Sequence, residues 1–274
     1  MKPAYLRKHY ALPAEHGAWI WLLGPLVLGA AAARRFSPDL LLLLGAGLAV
    51  FLLRQPLTLA VKSLSGRRGG DQLQPALAWA TAYGLAAIVF LLPLVLRGHA
   101  RLLWLGLPGL AVFGLHLRLV SQRRERRQPG VEILAAGALA LGAPAAYWVA
   151  GGPSTGVALL LWLIAWFQAA ASIVHVYLRL DQRDWAPAQP IGVRLHRGAR
   201  SLAYHGFNLI ASLAIAGQTG GGWLLPAAFL LTAADSFDGV LRPAAGARPA
   251  AIGLRQLLVS SLFYLLSSAS FWLR

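Results

Sequence analysis

Long apolar segments recur along the whole sequence and constrain its fold more than any other feature. We draw nine of them, at roughly 17–33, 39–60, 76–96, 101–117, 131–150, 155–178, 201–217, 222–236 and 252–273. A helix needs about 20 apolar residues to cross the hydrocarbon core of a bilayer. The fourth and eighth segments are the weakest, so eight or ten crossings stay open. We predict an all-α polytopic membrane protein with about nine transmembrane helices, forming one integral membrane domain over residues 1–274.

The composition agrees with that prediction. Hydrophobic residues make up 58% of the chain and charged residues 12%, with a mean hydropathy of +0.60. A water-soluble protein has about twice that charged fraction. The chain has no cysteine, which excludes disulfides, thiolate metal sites and a cysteine nucleophile.

The distribution of Lys and Arg predicts the topology. Of the 25 basic residues, 20 fall at the N-terminus or around the connections after the second, fourth, sixth and eighth segments. Cytoplasmic loops carry an excess of Lys and Arg, so we expect a multi-pass membrane protein with its N-terminus in the cytoplasm and its C-terminus outside. The net charge of +16 then reflects topology, and we predict the lipid bilayer as a partner and no nucleic acid.

Acidic residues are few, and two pairs of aspartates stand out. The pairs are Asp181 with Asp184 and Asp235 with Asp238. Residues three apart share a helix face, and both pairs follow apolar runs, where a helix C-terminus disfavours negative charge. Mg²⁺ or neighbouring guanidinium groups would compensate; the neighbouring arginines are Arg179, Arg183 and Arg242. The alternative is that the aspartates simply pair with those arginines or lie in water.

A basic set follows the second apolar segment. It consists of Arg54, Lys62, Arg67 and Arg68. Arg54 lies inside the apolar run, where a charge is costly unless it faces a cavity or a partner. Such a set suits an anionic head group, because guanidinium forks match phosphate oxygens and Lys supplies a point charge. The alternative is that these side chains extend to the membrane surface.

Glu15 and His16 precede the first apolar segment, on the same predicted membrane face as the aspartates and Arg54. We predict that both line the rim of one cytoplasm-facing polar cavity, in which Arg54, Asp181 and Asp235 converge. The alternative for Glu15 and His16 is a helix-capping role at the membrane interface.

Two stretches carry a resemblance to a known family. LPAEHGAWIWLLGPLVLG resembles the opening of the YwiC-like bacterial membrane proteins, in which a PxEHGAW-type segment begins the first helix. LLRQPLTLAVK resembles the end of that family's second helix. The resemblance spans most of the chain and implies that the membrane is the bacterial inner membrane, but it implies no particular activity.

A second resemblance is to the UbiA superfamily of intramembrane prenyltransferases. YLRLDQRDWAPAQPIGVRL resembles their second Asp-rich segment, with Asp181 and Asp184 as the matching acids. The resemblance implies a UbiA-like helical bundle, an isoprenoid diphosphate substrate and a Mg²⁺ cofactor held by aspartates. The first Asp-rich segment departs from that pattern, because RQPLTLAVK stands in its place and the next acid is Asp71. Either Arg and Lys hold the diphosphate directly, or the fold has lost the transferase chemistry.

We therefore predict a prenyltransferase-like enzyme at a cytoplasm-facing cavity. The predicted catalytic residues are Asp181, Asp184, Glu15 and His16. The predicted diphosphate ligands are Arg54, Lys62, Arg67, Arg68 and Arg179, and the predicted Mg²⁺ ligands are Asp181, Asp184, Asp235 and Asp238. The alternatives are a transporter or lipid carrier for an anionic substrate, and a non-catalytic membrane assembly factor. The acceptor, prenyl chain length, oligomeric state and pathway stay open.

Overall fold

The structure is a computed structural model that describes residues 8–12, 18–67, 69–124, 128–186, 189–219 and 222–273. These residues form helices joined by turns. The helices are α1 (Lys8–Ala11), α2 (Ala18–Ala33), α3 (Asp39–Leu64), α4 (Leu73–Leu94), α5 (Leu102–Ser121), α6 (Pro129–Ala140), α7 (Gly142–Val149), α8 (Thr155–Asp181), α9 (Ile191–Thr219), α10 (Leu224–Leu241) and α11 (Pro249–Ala269).

Each of the nine predicted apolar segments falls on a helix, with α6 and α7 sharing the fifth. Seven helical stretches are long and apolar enough to cross a membrane, among them those of the fourth and eighth segments. The other two segments fall on α2, which has 16 residues, and on α9. The chain is therefore an all-helical polytopic membrane protein, as predicted.

Helix α9 begins ten residues earlier than its apolar segment, and its first turns are rich in arginine. It remains helical there because it buries a face of small and polar residues every three to four positions. Gly198, Ser201 and His205 are buried. Arg197 and Arg200 are exposed, and Arg197 stacks on the Trp185 ring at 5.1 Å.

Contacts between distant segments define two ends of the helix bundle. At one end, α3, α5, α8 and α10 finish and α6 begins; we call it the basic end. Three hydrogen bonds join these segments: Arg67 to the Val120 carbonyl, Tyr177 to Glu132, and Arg183 to the Ala247 carbonyl. At the opposite end, Arg97 and His99 contact Asp39 at the start of α3, and Arg34 donates to the Phe271 carbonyl. The helices thus alternate in direction, as the Lys and Arg distribution predicts.

Helix α2 lies between two groups of helices. It packs against α3 on one side and against α6, α7, α8 and α11 on the others. Helix α3 packs chiefly against α4, α5 and α7, whereas α10 contacts α8, α9 and α11. Leu28 of α2 joins Tyr147, Phe229 and Phe263 in the largest apolar cluster. Polar groups on α3 and polar groups on α10 are therefore surrounded by different sets of helices.

Polar burial is confined to the carboxy-terminal helices. In the described part of the chain, and apart from aromatic residues, every buried polar side chain lies between Gln168 and Ser270. The helices before α8 bury apolar side chains and expose many of them to the surrounding lipid. A buried polar group in a bilayer is energetically costly, so such groups are typically retained where they serve a function. We therefore expect a functional site among α8–α11.

Candidate functional site

A cavity of about 200 Å³ opens at the basic end between α8, α10 and α11. Its polar lining consists of His175, Arg179, Asp235, Arg255 and Gln256. Three separate helices thus bring two guanidinium groups, an imidazole, a carboxylate and a carboxamide to one water-accessible space.

Arg255 of α11 binds both aspartates of the second pair. Its Nε donates to Asp235 Oδ1 and its Nη2 donates to Asp238 Oδ2, each at 2.7 Å. Arg242 lies 3.3 Å from the other oxygen of Asp238, but its side chain is 85% exposed. The carboxylates at the end of α10 are therefore neutralised mainly by a guanidinium fork from the next helix.

Arg179 caps the end of α10. Its Nη1 donates to the carbonyls of Gly239 and Arg242 at 2.7 Å and to Gln182 Oε1 at 2.9 Å. The last carbonyls of a helix have no intrahelical partner, so a cation there is favourable. Gly239 permits α8 and α10 to approach this closely, since a Cβ atom at that position would lie 2.6 Å from His175 Cε1.

His175 connects the cavity to the polar interior of α8–α11. Its Nε2 lies 3.5 Å from Asp235 Oδ2, and its Nδ1 lies 3.2 Å from Ser201 Oγ. Ser201 is in turn 2.8 Å from Ser236 Oγ, and the His205 ring meets the His175 ring edge to face at 5.8 Å. The two ring nitrogens therefore face different surroundings, a charged cavity and a set of buried hydroxyls.

This arrangement binds anions or moves protons more readily than it performs nucleophilic attack. The order Asp235, His175, Ser201 has the elements of a catalytic triad. Ser201 is only 1% exposed and its hydroxyl contacts Ser236, so a substrate does not reach it. Two arginines, Arg179 and Arg255, line the cavity with one carboxylate, Asp235. Asp238 pairs with Arg255 without lining the cavity, so a negatively charged ligand would bind Arg255 in competition with that carboxylate.

Asp181 and Asp184 lie outside this cavity. Helix α8 ends at Asp181, and Asp184 ends the 3₁₀ turn that continues it, so the two aspartates stay three residues apart on one continuous helical stretch. Both residues are exposed, and Asp181 accepts a hydrogen bond from Trp185 Nε1 at 3.0 Å. The prediction that Asp181 lines one cavity with Asp235 is corrected, because Asp181 is exposed and is not among the residues that line the cavity, whereas the next residue, Gln182, is the one buried against α10.

The basic set on α3 is also separate from Asp235. Arg54 and Lys62 are half-buried on the part of α3 that approaches the basic end, where α3 packs against α4 and α5. Arg67 donates to the Val120 carbonyl at 2.6 Å and so ties α3 to α5. The predicted convergence of Arg54 with Asp235 is not found at the cavity, since Arg54 does not line it and α3 packs chiefly against α4, α5 and α7. Glu15, His16 and Arg68 fall outside the described residues.

The predicted magnesium ligands do not form one cluster. Among the described residues, no group of three or more His, Asp or Glu side chains is arranged to hold a metal ion. Asp235 and Asp238 are bound by Arg255, and Asp181 by Trp185. In this arrangement the four aspartates therefore do not act as one set, and these three are paired with side chains of the protein.

Several residues of the site were not predicted from the sequence. They are Arg255, Ser201, Ser236, Gln168 and Gln256. Arg255 carried a usable signal, because it is a charged residue inside an apolar segment, as Arg54 is. The sequence offers no comparable indication for Ser201 and Ser236. Serine is common in helices of every environment, and only the packing of the helices shows which hydroxyls are buried together.

Comparison with known proteins relates the amino-terminal helices to a family. The model of the family described as YwiC-like protein matches residues 12–147. "Uncharacterized protein YwiC" of Bacillus subtilis (strain 168) is 31% identical over 115 residues, which cover 42% of this chain and 44% of the relative. No solved structure matches the chain. The matched residues end before α8, so the cavity lies beyond them. Over residues 12–147, the chain belongs to the YwiC-like protein family.

Proposed function

We propose that this protein is a membrane transporter for a phosphate-bearing anion, which enters from the basic end through the cavity beside Arg255. The single observation that carries the proposal is the polar cavity together with the buried polar groups behind it. Isoprenoid diphosphates belong to this substrate class. We further propose that the basic end faces the cytoplasm of a bacterial inner membrane, as the Lys and Arg distribution predicts.

The position of the cavity supports transport. It opens at one end of α8–α11, and the polar side chains continue from it into the bundle through His175, Ser201 and His205. Transporters place polar and ionisable groups in the bundle interior along the substrate path. A helix that serves only to span the membrane does not require buried polar or ionisable side chains.

The charges at Arg255 support an anionic substrate. Its guanidinium fork is occupied by Asp235 and Asp238, and the Asp238 side chain is 34% exposed. A phosphate group offers the same pair of acceptors as two carboxylate oxygens. A phosphate that displaced Asp238 from Arg255 would take over its hydrogen bond, and Asp238 would return when the substrate leaves, so Arg255 would be paired in both states.

The prenyltransferase predicted from the sequence stays a second proposal, and so does its Mg²⁺ cofactor. The resemblance of the Asp181 segment to the UbiA superfamily supports it. The separation of Asp181 and Arg54 from the cavity makes it the weaker of the two. A non-catalytic assembly role requires no cavity lined by five polar side chains.

The test is uptake into proteoliposomes containing the purified protein. The labelled probes are inorganic phosphate, pyrophosphate and farnesyl diphosphate, each with and without Mg²⁺. We expect uptake of at least one probe, reduced about 10- to 100-fold in Arg255→Gln, because a charge-assisted bidentate contact contributes about 1.5–3 kcal/mol. Arg255→Lys keeps the positive charge but lacks the guanidinium fork, so its uptake should lie between that of the unmodified protein and that of Arg255→Gln.

Arg242→Gln is the matched control, since it removes a guanidinium group at the same end that does not line the cavity. It should transport as the unmodified protein does. The absence of uptake for all three probes would overturn the transporter proposal. Release of pyrophosphate from farnesyl diphosphate, without uptake, would favour the transferase instead.

A further inference from the structure

Gln168 is a buried carboxamide without a partner. Its side chain is 1% exposed, and neither its Nε2 nor its Oε1 has a hydrogen-bond partner among the described residues. The hydroxyl of Ser172, which is fully buried, also lacks one there. Buried polar groups are almost always hydrogen-bonded, so these atoms require a ligand such as an internal water molecule.

These groups continue the line of polar side chains that starts at the cavity. Gln168, Ser172 and His175 are four and three residues apart and therefore share one face of α8. With a rise of 1.5 Å per residue, Gln168 lies about 10 Å deeper in the bundle than His175. It is the fourteenth of the 27 residues of α8, so it marks the middle of that helix.

Helix α9 presents a matching line of polar groups. Ser201, His205 and Asn208 have the same spacing and are all buried. Asn208 Nδ2 donates to the Phe167 carbonyl at 2.9 Å, which sets Asn208 at the depth of Gln168. His205 Nδ1 donates to the Ser201 carbonyl at 2.9 Å, so one of its ring nitrogens already has a partner. The facing polar sides of α8 and α9 thus run from the cavity to mid-depth.

We propose that this polar line is a hydrated proton half-pathway that couples anion transport to proton movement. The inference rests on the proposed transport function and extends it to the coupling ion. A water-filled line ending at Gln168 gives each unpartnered atom a partner. It also gives protons a route to the middle of the membrane, where carriers place their coupling sites.

His175 is the group that passes the proton. Water in the cavity delivers a proton to one ring nitrogen, and the proton on the other nitrogen leaves toward Ser201 and the water beside Ser172. One proton is transferred, and His175 ends neutral in the other tautomer. The charged and titratable groups around it are Asp235 of α10, Arg255 of α11, His205 of α9 and Arg179 of its own helix.

Cysteine accessibility tests the hydrated path without reference to transport. The chain has no native cysteine. Ser172→Cys and Ala203→Cys place thiols at similar depth, because Asn208 marks the depth of Phe167 and the two helices run in opposite directions. The first thiol lies in the polar line and the second on an exposed position of α9. Silver ions, which are small, should react with Ser172→Cys about tenfold faster, because a thiolate forms only where water is present.

Proton flux tests the coupling. A pH-sensitive dye inside proteoliposomes should report proton movement that accompanies a gradient of the transported probe. We expect His175→Gln and Gln168→Leu to lower this flux about tenfold or more, while the lipid-facing Phe207→Leu leaves it unchanged. Equal and slow reaction of both cysteines would overturn the inference, as would anion uptake without proton movement. Reactive Ser172→Cys without any anion uptake would instead overturn the transport function and leave the hydrated path standing.

Discussion

At the scale of single residues, Arg255 explains how two aspartates are tolerated at the end of α10. A helix C-terminus disfavours Asp235 and Asp238, and each repels the other. Arg255 contacts both carboxylates from a neighbouring helix. Sequence reasoning correctly required a compensating charge but assigned it to Mg²⁺ or to arginines nearby in the chain. Arg242 does lie 3.3 Å from Asp238, as that prediction allowed, but the partner shared by both aspartates is 17 residues beyond Asp238, and only tertiary packing brings it there.

Removal of the Arg255 charge should destabilise the protein. We expect Arg255→Gln to lower the free energy of unfolding by about 2 kcal/mol, below the full cost of breaking a buried ion pair because the Arg255 side chain is 47% exposed. Thermal unfolding in detergent measures the change. Arg242→Gln should change the free energy of unfolding by less than about 0.5 kcal/mol. The double variant Asp235→Asn with Arg255→Gln should recover part of the loss, and a further loss instead would contradict the ion-pair account.

At the scale of helices, the close approach of α8 and α10 builds the cavity wall. Gly239 lets the α10 backbone reach His175, and its carbonyl accepts hydrogen bonds from both Arg179 and Gln182. Gln182 is fully buried and its Oε1 also accepts from the Ala244 amide at 3.1 Å. Arg179 of α8 and Gln182 just after it therefore fix where α10 ends and where the chain turns toward α11.

A methyl group at Gly239 should separate these helices. We expect Gly239→Ala to lower the free energy of unfolding by about 1–3 kcal/mol, because the added Cβ overlaps the His175 ring. Gly253→Ala in α11 is the matched control: its Cβ would meet open space, so the better helix propensity of alanine should stabilise by up to about 1 kcal/mol. Equal effects of the two substitutions on thermal unfolding would show that the close approach at Gly239 is unimportant.

The first turns of α9 show what periodicity alone misses. The hydropathy of residues 191–200 predicts a polar connection, whereas the structure continues the helix through them. The buried face is made by Gly198 and Ser201, which packing places against α10 through Val240 and Ser236. Neither glycine nor serine contributes to an apolar pattern, so this face has no hydrophobic signal. Apolar runs predict which segments are helical; small residues decide where helices meet.

At the scale of the whole molecule, the positions of the apolar helices and their directions follow from two simple properties of the sequence. Apolar length marks the helices, and the Lys and Arg distribution marks the ends of the bundle. The site depends instead on which helices become neighbours. Arg54 and Asp235 approach the same end, yet α3 packs chiefly against α4, α5 and α7, whereas α10 packs against α8, α9 and α11. A shared membrane face therefore predicts a common depth for two charges, but it does not predict a common cavity.

Topology can be tested with cysteine labelling in intact cells. A membrane-impermeant maleimide should leave Ser121→Cys, at the basic end, unlabelled until the cells are opened. It should label Thr155→Cys, at the opposite end, directly. Both positions are exposed and the chain has no competing cysteine. The reverse pattern would place the basic end outside and contradict the predicted orientation.

Protection of a cavity thiol by an anion is the most direct measurement of the central claim, that a water-reachable site for phosphate-bearing anions lies beside Arg255. Gln256→Cys lines that cavity and should react readily with a water-soluble thiosulfonate reagent. Saturating phosphate, pyrophosphate or farnesyl diphosphate should slow the reaction about tenfold, and the protection should disappear when Arg255→Gln is added. A thiol that does not react, or whose reaction rate none of the three anions changes, would contradict the account.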